Sequence, residues 1–331
     1  MGGERMTIEE LARQLGVSKS TVSRALSGKG RIGEATRERI REQARLAGIC
    51  AEQRQRTGNI AVVIPADAYT VSIPFFSECL LGVSEAARHL EYQVMVTAGA
   101  VGDISGLQRL VEGKKTDGVV LMRNVEGDQA LKYLVKAGIP TGLAGSCDYE
   151  SVIQVDTDNR LAARQMVSFL IGQGYRHFAL VMGDGTYRVN QERLQGCLEA
   201  MDKAGVPGNV SSFHLNVTQM ELADSIVGEV LSRKIECVVC GDDVICTRIM
   251  SGLQAEGYRI PRDISTVSLS NSASLDCFSP AVTAVRSSAR QIGYTLGREL
   301  IRCLRGETYN RKVMLGFELL IRKSIKKMDE V

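Results

Sequence analysis

The feature that most constrains the fold is an alternation of two kinds of segment between residues 59 and 269. Short runs rich in β-branched residues, such as Ile60–Ile64 and Gly118–Met122, alternate with longer amphipathic stretches such as Phe75–Leu90. Strand, helix and strand recur at intervals of about 25 to 30 residues, which is typical of βαβ units. Because parallel strands need a crossover connection, the pattern predicts a parallel sheet covered by helices on both faces.

The number of segments predicts more than one sheet. The further predicted elements are Tyr92–Val96, Leu107–Gly113, Gln129–Ala137, Thr141–Leu143, Arg160–Ile171, Phe178–Met182, Gln191–Ala204, Glu221–Leu231, Cys237–Cys240, Val244–Glu256 and Thr266–Leu269. A set of this size exceeds one sheet of ordinary width, so we expect two α/β lobes with a break near Asp156–Asn159.

The first 48 residues have a different pattern. Residues 7–10 read T-I-E-E, a capping box in which the Thr7 hydroxyl satisfies an amide of the first helical turn. Gly16 ends this helix, and Ser18 caps a second one. A third helix is expected from residue 34 to residue 47. Two short helices joined by a turn that starts with glycine predict a helix-turn-helix module.

The second of these helices has a row of hydrogen-bond donors on its outward side. The outward positions are Lys19, Ser20, Ser23, Arg24 and Ser27. In helix-turn-helix proteins this helix enters the major groove, where Arg and Lys donate to guanine and hydroxyl groups suit phosphates. The alternative is a solvated amphipathic helix in a small bundle.

Positive charge is concentrated in the same part of the chain. Residues 1–56 hold 12 basic and 7 acidic side chains, a net charge of +5, whereas the remaining 275 residues carry −2. A basic module on a near-neutral body is typical of nucleic-acid binding, although a solvated surface would also explain it.

The composition also indicates where the protein resides. No apolar run approaches the ~20 residues of a membrane span, and the N-terminus lacks the hydrophobic stretch of a secretory signal. We therefore expect a cytoplasmic protein without a membrane partner. In that reducing compartment the nine cysteines are expected to be free thiols.

Signals for an enzyme or a metal site are thin. Cys237 and Cys240 resemble a redox or zinc pair, but side chains three apart on a strand point to opposite faces. The three histidines are scattered, and no Walker-type sequence is present. Asp156 and Asp158 are interpreted as caps of the following helix. No catalytic residue, metal ligand or cofactor is predicted.

Motifs along the whole chain agree with one protein family. The first is T-I-E-E-L-A-R-Q-L-G-V-S-K-S-T-V-S-R-A-L-S-G from Thr7, followed by T-R-E-R-I. The later ones are Pro74-Phe75-Phe76, Thr116-Asp117-Gly118-Val119-Val120, Asp158-Asn159, Glu192-Arg193-Leu194-Gln195-Gly196, Pro280 through Arg286, and Arg322-Lys323-Ser324. Through them the chain resembles the lactose-repressor (LacI/GalR) family of bacterial transcription regulators.

This resemblance implies a domain organisation. It predicts an all-α helix-turn-helix domain in residues 1–48, a linker in 49–58, and a two-lobed α/β core in 59–331 similar to type I periplasmic binding proteins. Crossovers near Arg160, Thr283 and Gly316 would connect the lobes. The N-lobe would then comprise residues 59–159 and 284–315, and the C-lobe residues 160–283 and 316–331. A ligand that prefers the closed form of such a hinged pair shifts the population toward it.

The resemblance also assigns roles in DNA binding. Lys19, Ser20 and Arg24 lie where the family reads bases, and Thr21 and Ser23 lie where it holds phosphate. The complete predicted DNA-binding set is Thr7, Ser18, Lys19, Ser20, Thr21, Ser23, Arg24, Ser27, Arg54 and Arg56. The implied partner is a near-palindromic operator, bound by a homodimer.

The linker departs from the family pattern. Members usually have a Pro-Asn pair and then a hinge helix, whose leucine wedges into the minor groove and kinks the operator. Here residues 48–57 read G-I-C-A-E-Q-R-Q-R-T, without such a leucine. A hinge helix and a solvated basic linker whose Arg54 and Arg56 touch phosphate are both possible interpretations. We favour the basic linker, which predicts weaker operator bending.

The ligand cleft departs from the family as well. Ser270 and Asn271 stand where sugar-responsive members commonly have a carboxylate, and Gly145-Ser146 stands where many have Asp. Arg193 is implied to donate to ligand oxygens, with an interlobe salt bridge as the alternative. The predicted effector site consists of Phe76, Arg193, Asp242, Ser270 and Asn271. Because the cleft loses these hydroxyl-accepting carboxylates, it need not bind an ordinary neutral sugar.

Together these features predict a homodimeric transcription regulator, a repressor and not an enzyme, that responds to a small molecule such as a sugar derivative. Two alternatives remain. One is a regulator without an effector, and the other is a small-molecule-binding or hydrolytic α/β protein whose N-terminal bundle mediates protein contacts. Retardation of operator-length DNA would exclude the second alternative.

Overall fold

The chain forms two compact units, which are described separately. The computed structural model describes residues 8–27, 32–46, 56–66, 72–99, 102–206, 211–217 and 220–326. The smaller unit is Met1–Thr57 and the larger unit is Gly58–Val331. The predicted roles of Thr7 and Arg54, and most of the predicted linker, lie outside the described residues.

The smaller unit is the predicted helix-turn-helix module. Its helices are α1 (Ile8–Leu15), α2 (Lys19–Ser27) and α3 (Glu34–Leu46). Gly16 has a φ of +67° in the turn after α1, a conformation that costs glycine little because it has no Cβ. The Ser18 hydroxyl accepts from the Thr21 amide at 3.1 Å and caps α2 as predicted. Leu11, Ala12, Val22, Ala25, Ile40 and Ala44 form the core between the three helices.

The larger unit has two lobes. The N-lobe contains β1 (Asn59–Pro65), α4 (Pro74–His89), β2 (Gln93–Gly99), α5 (Ser105–Glu112), β3 (Gly118–Leu121), α6 (Gln129–Lys136), β4 (Thr141–Ala144) and β5 (Ile153–Thr157). The C-lobe contains α7 (Asn159–Gly172), β6 (Phe178–Val181), α8 (Arg188–Lys203), β7 (Ser212–His214), α9 (Met220–Ser232), β8 (Cys237–Cys240), α10 (Asp243–Ala255), β9 (Ser265–Ser268), α11 (Ala273–Cys277) and β10 (Thr283–Arg286). The chain then forms α12 (Ala289–Arg305) and β11 (Lys312–Leu315) in the N-lobe and β12 (Glu318–Leu320) in the C-lobe.

Each lobe is built on a six-stranded sheet, and the two sheets share one plan. The strand order is β11-β5-β4-β3-β1-β2 in the N-lobe and β12-β10-β9-β8-β6-β7 in the C-lobe. The strands pair in parallel, except that β12 is antiparallel to β10. Every residue of β3 and β8 is buried, because helices cover both faces of these sheets, and this is why the strands read as continuous apolar runs. The predicted two-lobed α/β fold is confirmed.

The chain crosses between the lobes three times. The crossovers lie at residue 158, at residues 287–288 and at residues 316–317. The second crossover corrects the expected boundary near Thr283. Thr283 and Ala284 pair with Val267 and Ser268 of β9, so β10 completes the C-lobe sheet before the chain leaves it.

The sequence pattern missed helix α12, which follows the last predicted strand. Its buried face, including Ile292, Leu296 and Leu300, packs against α4 and the N-lobe sheet. The close contact with α4 depends on glycine, since a Cβ on Gly293 would lie 1.9 Å from the carbonyl oxygen of Cys79. A helix from the end of the chain therefore completes the core of the first lobe.

The two cysteines of β8 point to opposite faces of the sheet, as the strand geometry predicted. Cys240 packs in one core of the C-lobe and Cys237 in another, on the two faces of the sheet. Burial raises the pKa of both thiols well above the ordinary value. Across the described ranges, no set of three acidic, cysteine or histidine side chains is placed to hold a metal ion. No helix within those ranges is long and apolar enough to cross a membrane.

Candidate functional site

The donor row predicted on α2 lies on the surface of the smaller unit. Ser18, Lys19, Ser20, Ser23 and Arg24 are exposed, and Thr21 is half-buried. The Ser18 hydroxyl lies 2.7 Å from the Thr21 hydroxyl and 2.8 Å from that of Ser20. Three hydroxyl groups thus cluster at the N-terminus of the helix, where the backbone amides and the helix dipole favour a phosphate.

Lys19 forms an ion pair across the two helices of the motif. Its ammonium donates to the carboxylate of Glu9 on α1, and this hydrogen bond lowers the pKa of Glu9. Both side chains are mostly exposed, so the pair contributes little to stability. Lys19 can therefore leave Glu9 for another acceptor at small cost.

Two further members of the predicted DNA-binding set lie at the ends of segments in the smaller unit. Arg56 is exposed at the end of the smaller unit. Ser27 is the last residue of α2, and its side chain lies outside the described part of the structure.

The larger unit contains a cavity of about 430 Å³ between its lobes, which we call the interlobe cavity. It lies where the carboxyl ends of strands from both sheets face each other, the usual ligand position in open α/β sheets. This volume suits a small organic ligand. The lining residues are Ala66, Ile73, Phe75, Phe76, Met122, Arg123, Asn124, Ala144, Gly145, Ser146, Val155, Asp156, Thr157, Asn159, Asp184, Tyr187, Arg188, Val189, Asn190, Glu192, Arg193, Asp242, Ser270, Ser287 and Ile292.

Four of the five predicted effector residues lie together in this cavity. They are Phe76 from α4, Arg193 from α8, Asp242 after β8 and Ser270 after β9. The prediction for the fifth residue, Asn271, is corrected, because Asn271 is not part of the cavity lining. Its side-chain oxygen accepts from Arg322 Nη1 at 2.8 Å, so Asn271 holds the C-terminal segment of the C-lobe.

Arg193 and Asp242 are held in place within the C-lobe. Arg193 Nη1 donates to the carbonyl oxygen of Gly241 at 2.7 Å. The buried Asp242 carboxylate accepts from the Ile245 amide at 2.9 Å and caps α10. These hydrogen bonds therefore fix the positions of both side chains on the C-lobe side of the cavity.

Asp156 is a cavity residue that the sequence pattern did not identify. Asp158, and not Asp156, caps α7, by accepting from the Leu161 amide at 2.8 Å. Asp156 Oδ1 accepts from the Thr157 amide at 2.7 Å and lines the cavity. Burial raises the pKa of Asp156 to about 6, while the Thr157 hydrogen bond acts in the opposite direction. The sequence does not show that the end of β5 faces the C-lobe. It therefore could not distinguish a helix cap from a cavity residue at this position.

Glu192 is the second missed carboxylate. Its Oε1 lies 3.2 Å from Arg188 Nε on the same helix and accepts from the Ser146 hydroxyl of the N-lobe at 3.5 Å. The cavity lining therefore contains Asp156 and Glu192 besides the predicted Asp242. The acceptors come from β5 and α8, and not from the two positions where the family usually has them.

The two lobes touch directly beside the cavity. The Arg188 amide donates to the Asn124 carbonyl at 3.1 Å, and the Glu126 amide donates to the Thr186 carbonyl at 3.1 Å. Val125 and Tyr187 form an antiparallel bridge between these segments. This pair of loops joins the lobes at one wall of the cavity.

Two family profiles match the sequence. Residues 7–48 match the profile described as "Bacterial regulatory proteins, lacI family", and residues 167–325 match "Periplasmic binding protein-like domain". The first match covers the helix-turn-helix module, and the second covers most of the C-lobe together with α12 and β11 of the N-lobe.

Similar proteins span nearly the whole chain. The transcriptional regulator CelR of Thermobifida fusca is 27% identical, over 97% of this chain and 98% of the relative. The maltose regulon regulatory protein MalI of Escherichia coli (strain K12) is 28% identical, over 97% of this chain and 99% of the relative. The solved CelR–cellobiose complex is similar with a TM-score of 0.73 and 26% identity, over 96% of this chain and 99% of that one.

These relatives are transcription regulators and not enzymes, as the sequence analysis predicted. A putative LacI-type regulator from Bacillus cereus subsp. cytotoxis has the same fold, with a TM-score of 0.75 and 25% identity over 82% of this chain and 99% of that one. The catalytic alternative is therefore set aside.

Proposed function

Because the chain belongs to the LacI/GalR family of bacterial transcription regulators, we propose that it is a cytoplasmic repressor that binds a near-palindromic operator as a homodimer. A small molecule in the interlobe cavity would control its affinity for DNA. The observation that carries this proposal is the exposed donor row on α2, which begins at a capped helix N-terminus in a basic module.

The chemistry of α2 supports sequence-specific DNA binding. Lys19 and Arg24 offer charged donors that suit guanine in the major groove. The hydroxyl groups of Ser18, Ser20 and Thr21 surround the helix N-terminus, which suits a phosphate. Direct base contacts and phosphate contacts would therefore come from the same short helix.

The cavity and the crossovers support control by a ligand. Three chain segments connect the lobes, so a hinge between them would be defined by these segments. Polar groups from both lobes line the cavity, so a ligand there would contact both. The CelR complex shows a related protein with cellobiose, and relatives named PurR are described as repressors. These features favour an effector-responsive repressor over a regulator without an effector.

The test is electrophoretic mobility shift with an operator obtained by in vitro selection. Arg24→Ala should weaken binding by about 1–3 kcal/mol and relax specificity at one base position in each half-site, because a bidentate base contact is lost. Arg39→Ala is the matched control, since Arg39 is an exposed arginine of α3 outside the proposed reading helix.

The salt dependence gives a second criterion. Affinity should fall steeply between low and moderate salt, because phosphate contacts release counterions. Binding that is insensitive both to Arg24→Ala and to salt would contradict the proposed function.

A further inference from the structure

Arg123 is a buried cation that the proposed DNA-binding mechanism does not explain. It follows β3 by two residues and is 8% exposed. It lines the interlobe cavity and also a neighbouring small cavity of about 10 Å³. Its side chain is thus mostly buried at the carboxyl end of the N-lobe sheet, and its guanidinium nitrogens keep some accessible surface.

No carboxylate in the described residues forms a direct ion pair with this charge. Arg123 donates no hydrogen bond and forms no ion pair within 4.0 Å there. Asp103 and Asp128 line the same small cavity, but both act elsewhere. Asp128 caps α6 by accepting from the Ala130 amide at 2.7 Å, and Asp103 accepts from the Ser105 amide at 2.9 Å. A guanidinium that is mostly shielded from water and has no acceptor gains from an anion that reaches it.

The other arginines that line the cavity differ from Arg123. Arg188 pairs with Glu192, and Arg193 donates to the carbonyl of Gly241. Of these three arginines, Arg123 alone has no acceptor within the described ranges. It is therefore the position in the cavity where added negative charge would be stabilised most.

The acidic side of the cavity lies apart from Arg123. Asp156 is at the end of β5, and β4 lies between β5 and β3 in the sheet. Two strand spacings place the ends of β3 and β5 about 10 Å apart. An anion at Arg123 would therefore not meet the Asp156 carboxylate directly, and one ligand of about this length could contact both.

We infer that Arg123 binds an anionic group of the effector, a carboxylate or a phosphate ester. Hydroxyl groups of the same molecule would donate to Asp156 and Glu192 on the other side. The effector is thus a polyhydroxylated acid or a sugar phosphate, and not a neutral sugar. This inference rests on the proposed function, because it assumes that the interlobe cavity holds the effector.

The test uses the full-length protein and probes that differ mainly in charge. Apparent Tm and calorimetric binding are measured with glucose, gluconate, glucose 6-phosphate and inorganic phosphate at constant ionic strength. A ligand that binds only the folded state raises the Tm. We expect gluconate or glucose 6-phosphate to raise the Tm more than glucose does. The probe that acts identifies the carboxylate or the phosphate as the anion.

Two substitutions connect this response to Arg123. Arg123→Gln should weaken binding of the active anion at least about tenfold, because the charge-assisted hydrogen bonds are lost, while the response to glucose stays unchanged. Arg123→Lys keeps the charge and should retain part of the response. The variant Arg109→Gln is the matched control, since Arg109 is an exposed arginine of α5.

The ligand-free proteins provide a further criterion. Arg123→Gln should be at least as stable as the wild type without anions, because it removes an uncompensated buried charge. If Arg123→Gln does not fold, the charge serves the fold and the inference is wrong. Equal responses of the wild type and Arg123→Gln to every probe, including no response, would also contradict it. Loss of DNA binding is measured separately, so failure of the proposed function is distinguishable.

Discussion

At the scale of single residues, Asp156 is a cavity carboxylate that is buried at a cost in stability when it is charged. Its carboxylate is held by one backbone amide and one side-chain amide, from Thr157 and Asn159. Burial still dominates and raises its pKa from 3.8 to about 6. A residue that the folded state keeps partly desolvated is a typical component of a binding site.

This pKa predicts how stability depends on pH. Between pH 3.8 and about 6 the folded state binds more protons at Asp156 than the unfolded state does. The free energy of unfolding should therefore fall as pH rises through this window, by up to about 3 kcal/mol from this residue. Asp156→Asn removes the effect. It should be more stable than the wild type at pH 8 and gain little at pH 4.5, as measured by urea unfolding.

Asp158→Asn is the control for this experiment. Asparagine also caps helices well, so this variant should keep the wild-type dependence on pH. A wild-type and an Asp156→Asn protein with parallel pH profiles would show that Asp156 does not contribute the effect.

At the scale of elements, the packing of α4 against α12 depends on the absence of side chains at two positions. A Cβ on Gly82 would lie 2.0 Å from the carbonyl oxygen of Arg290, and a Cβ on Gly293 would lie 1.9 Å from that of Cys79. Both contacts are with backbone, which cannot move aside as a flexible side chain can. The glycines therefore set how closely the two helices approach.

We predict that Gly293→Ala destabilises the larger unit. The added methyl group forces the helices apart, and overpacking of this kind costs about 1–3 kcal/mol. The loss should appear as a lower urea midpoint for the unfolding of the larger unit, followed by circular dichroism.

The matched control is Gly228→Ala in α9. A Cβ at this exposed helical position would meet no atom within 4 Å, so the change should stabilise by about 0.4–1 kcal/mol. Equal effects of the two substitutions would mean that close approach does not explain the glycine at position 293.

At the scale of the whole molecule, two lobes of one plan are joined by three chain segments and by paired loops beside the cavity. A ligand that contacts both lobes would favour the arrangement in which these loops meet. Coupling of this kind between a ligand and DNA is typically about 1–3 kcal/mol. In the proposed function, the lobes sense the ligand and the helix-turn-helix module contacts DNA, so the two tasks belong to two units of the chain.

The proposed homodimer predicts a dependence on operator spacing. Two reading helices in one dimer reach half-sites on the same face of the duplex, about one helical turn apart. An insertion of about half a turn between the half-sites should weaken binding at least about tenfold, as measured by mobility shift. The control is an insertion of a full helical turn, which places both half-sites on the same face of the duplex again. Affinity that does not depend on spacing would indicate that each module binds alone.

Much of the fold followed from local signals in the sequence. The Gly16 turn, the Ser18 cap and the strand and helix alternation predicted most elements between β1 and β9, except β5 and β7, with bounds that agree within a few residues. Helix α12 was missed because its apolar face is complementary to α4, far earlier in the chain. Strand β5 was missed because its polar residues at the carboxyl end, including Asp156, resemble a helix cap.

The candidate site needed the tertiary structure to a greater extent. The sequence by itself determined helix α2 and its outward donor row, since the turn, the cap and the donor positions are close in sequence and interact locally. It also determined the two-lobed class, because side-chain periodicity depends on short-range geometry. Only the tertiary structure decided that Arg123, Asp156 and Glu192 share the cavity, because these residues come from separate segments of the chain. Their meeting depends on strand order and lobe contact, which no local pattern records.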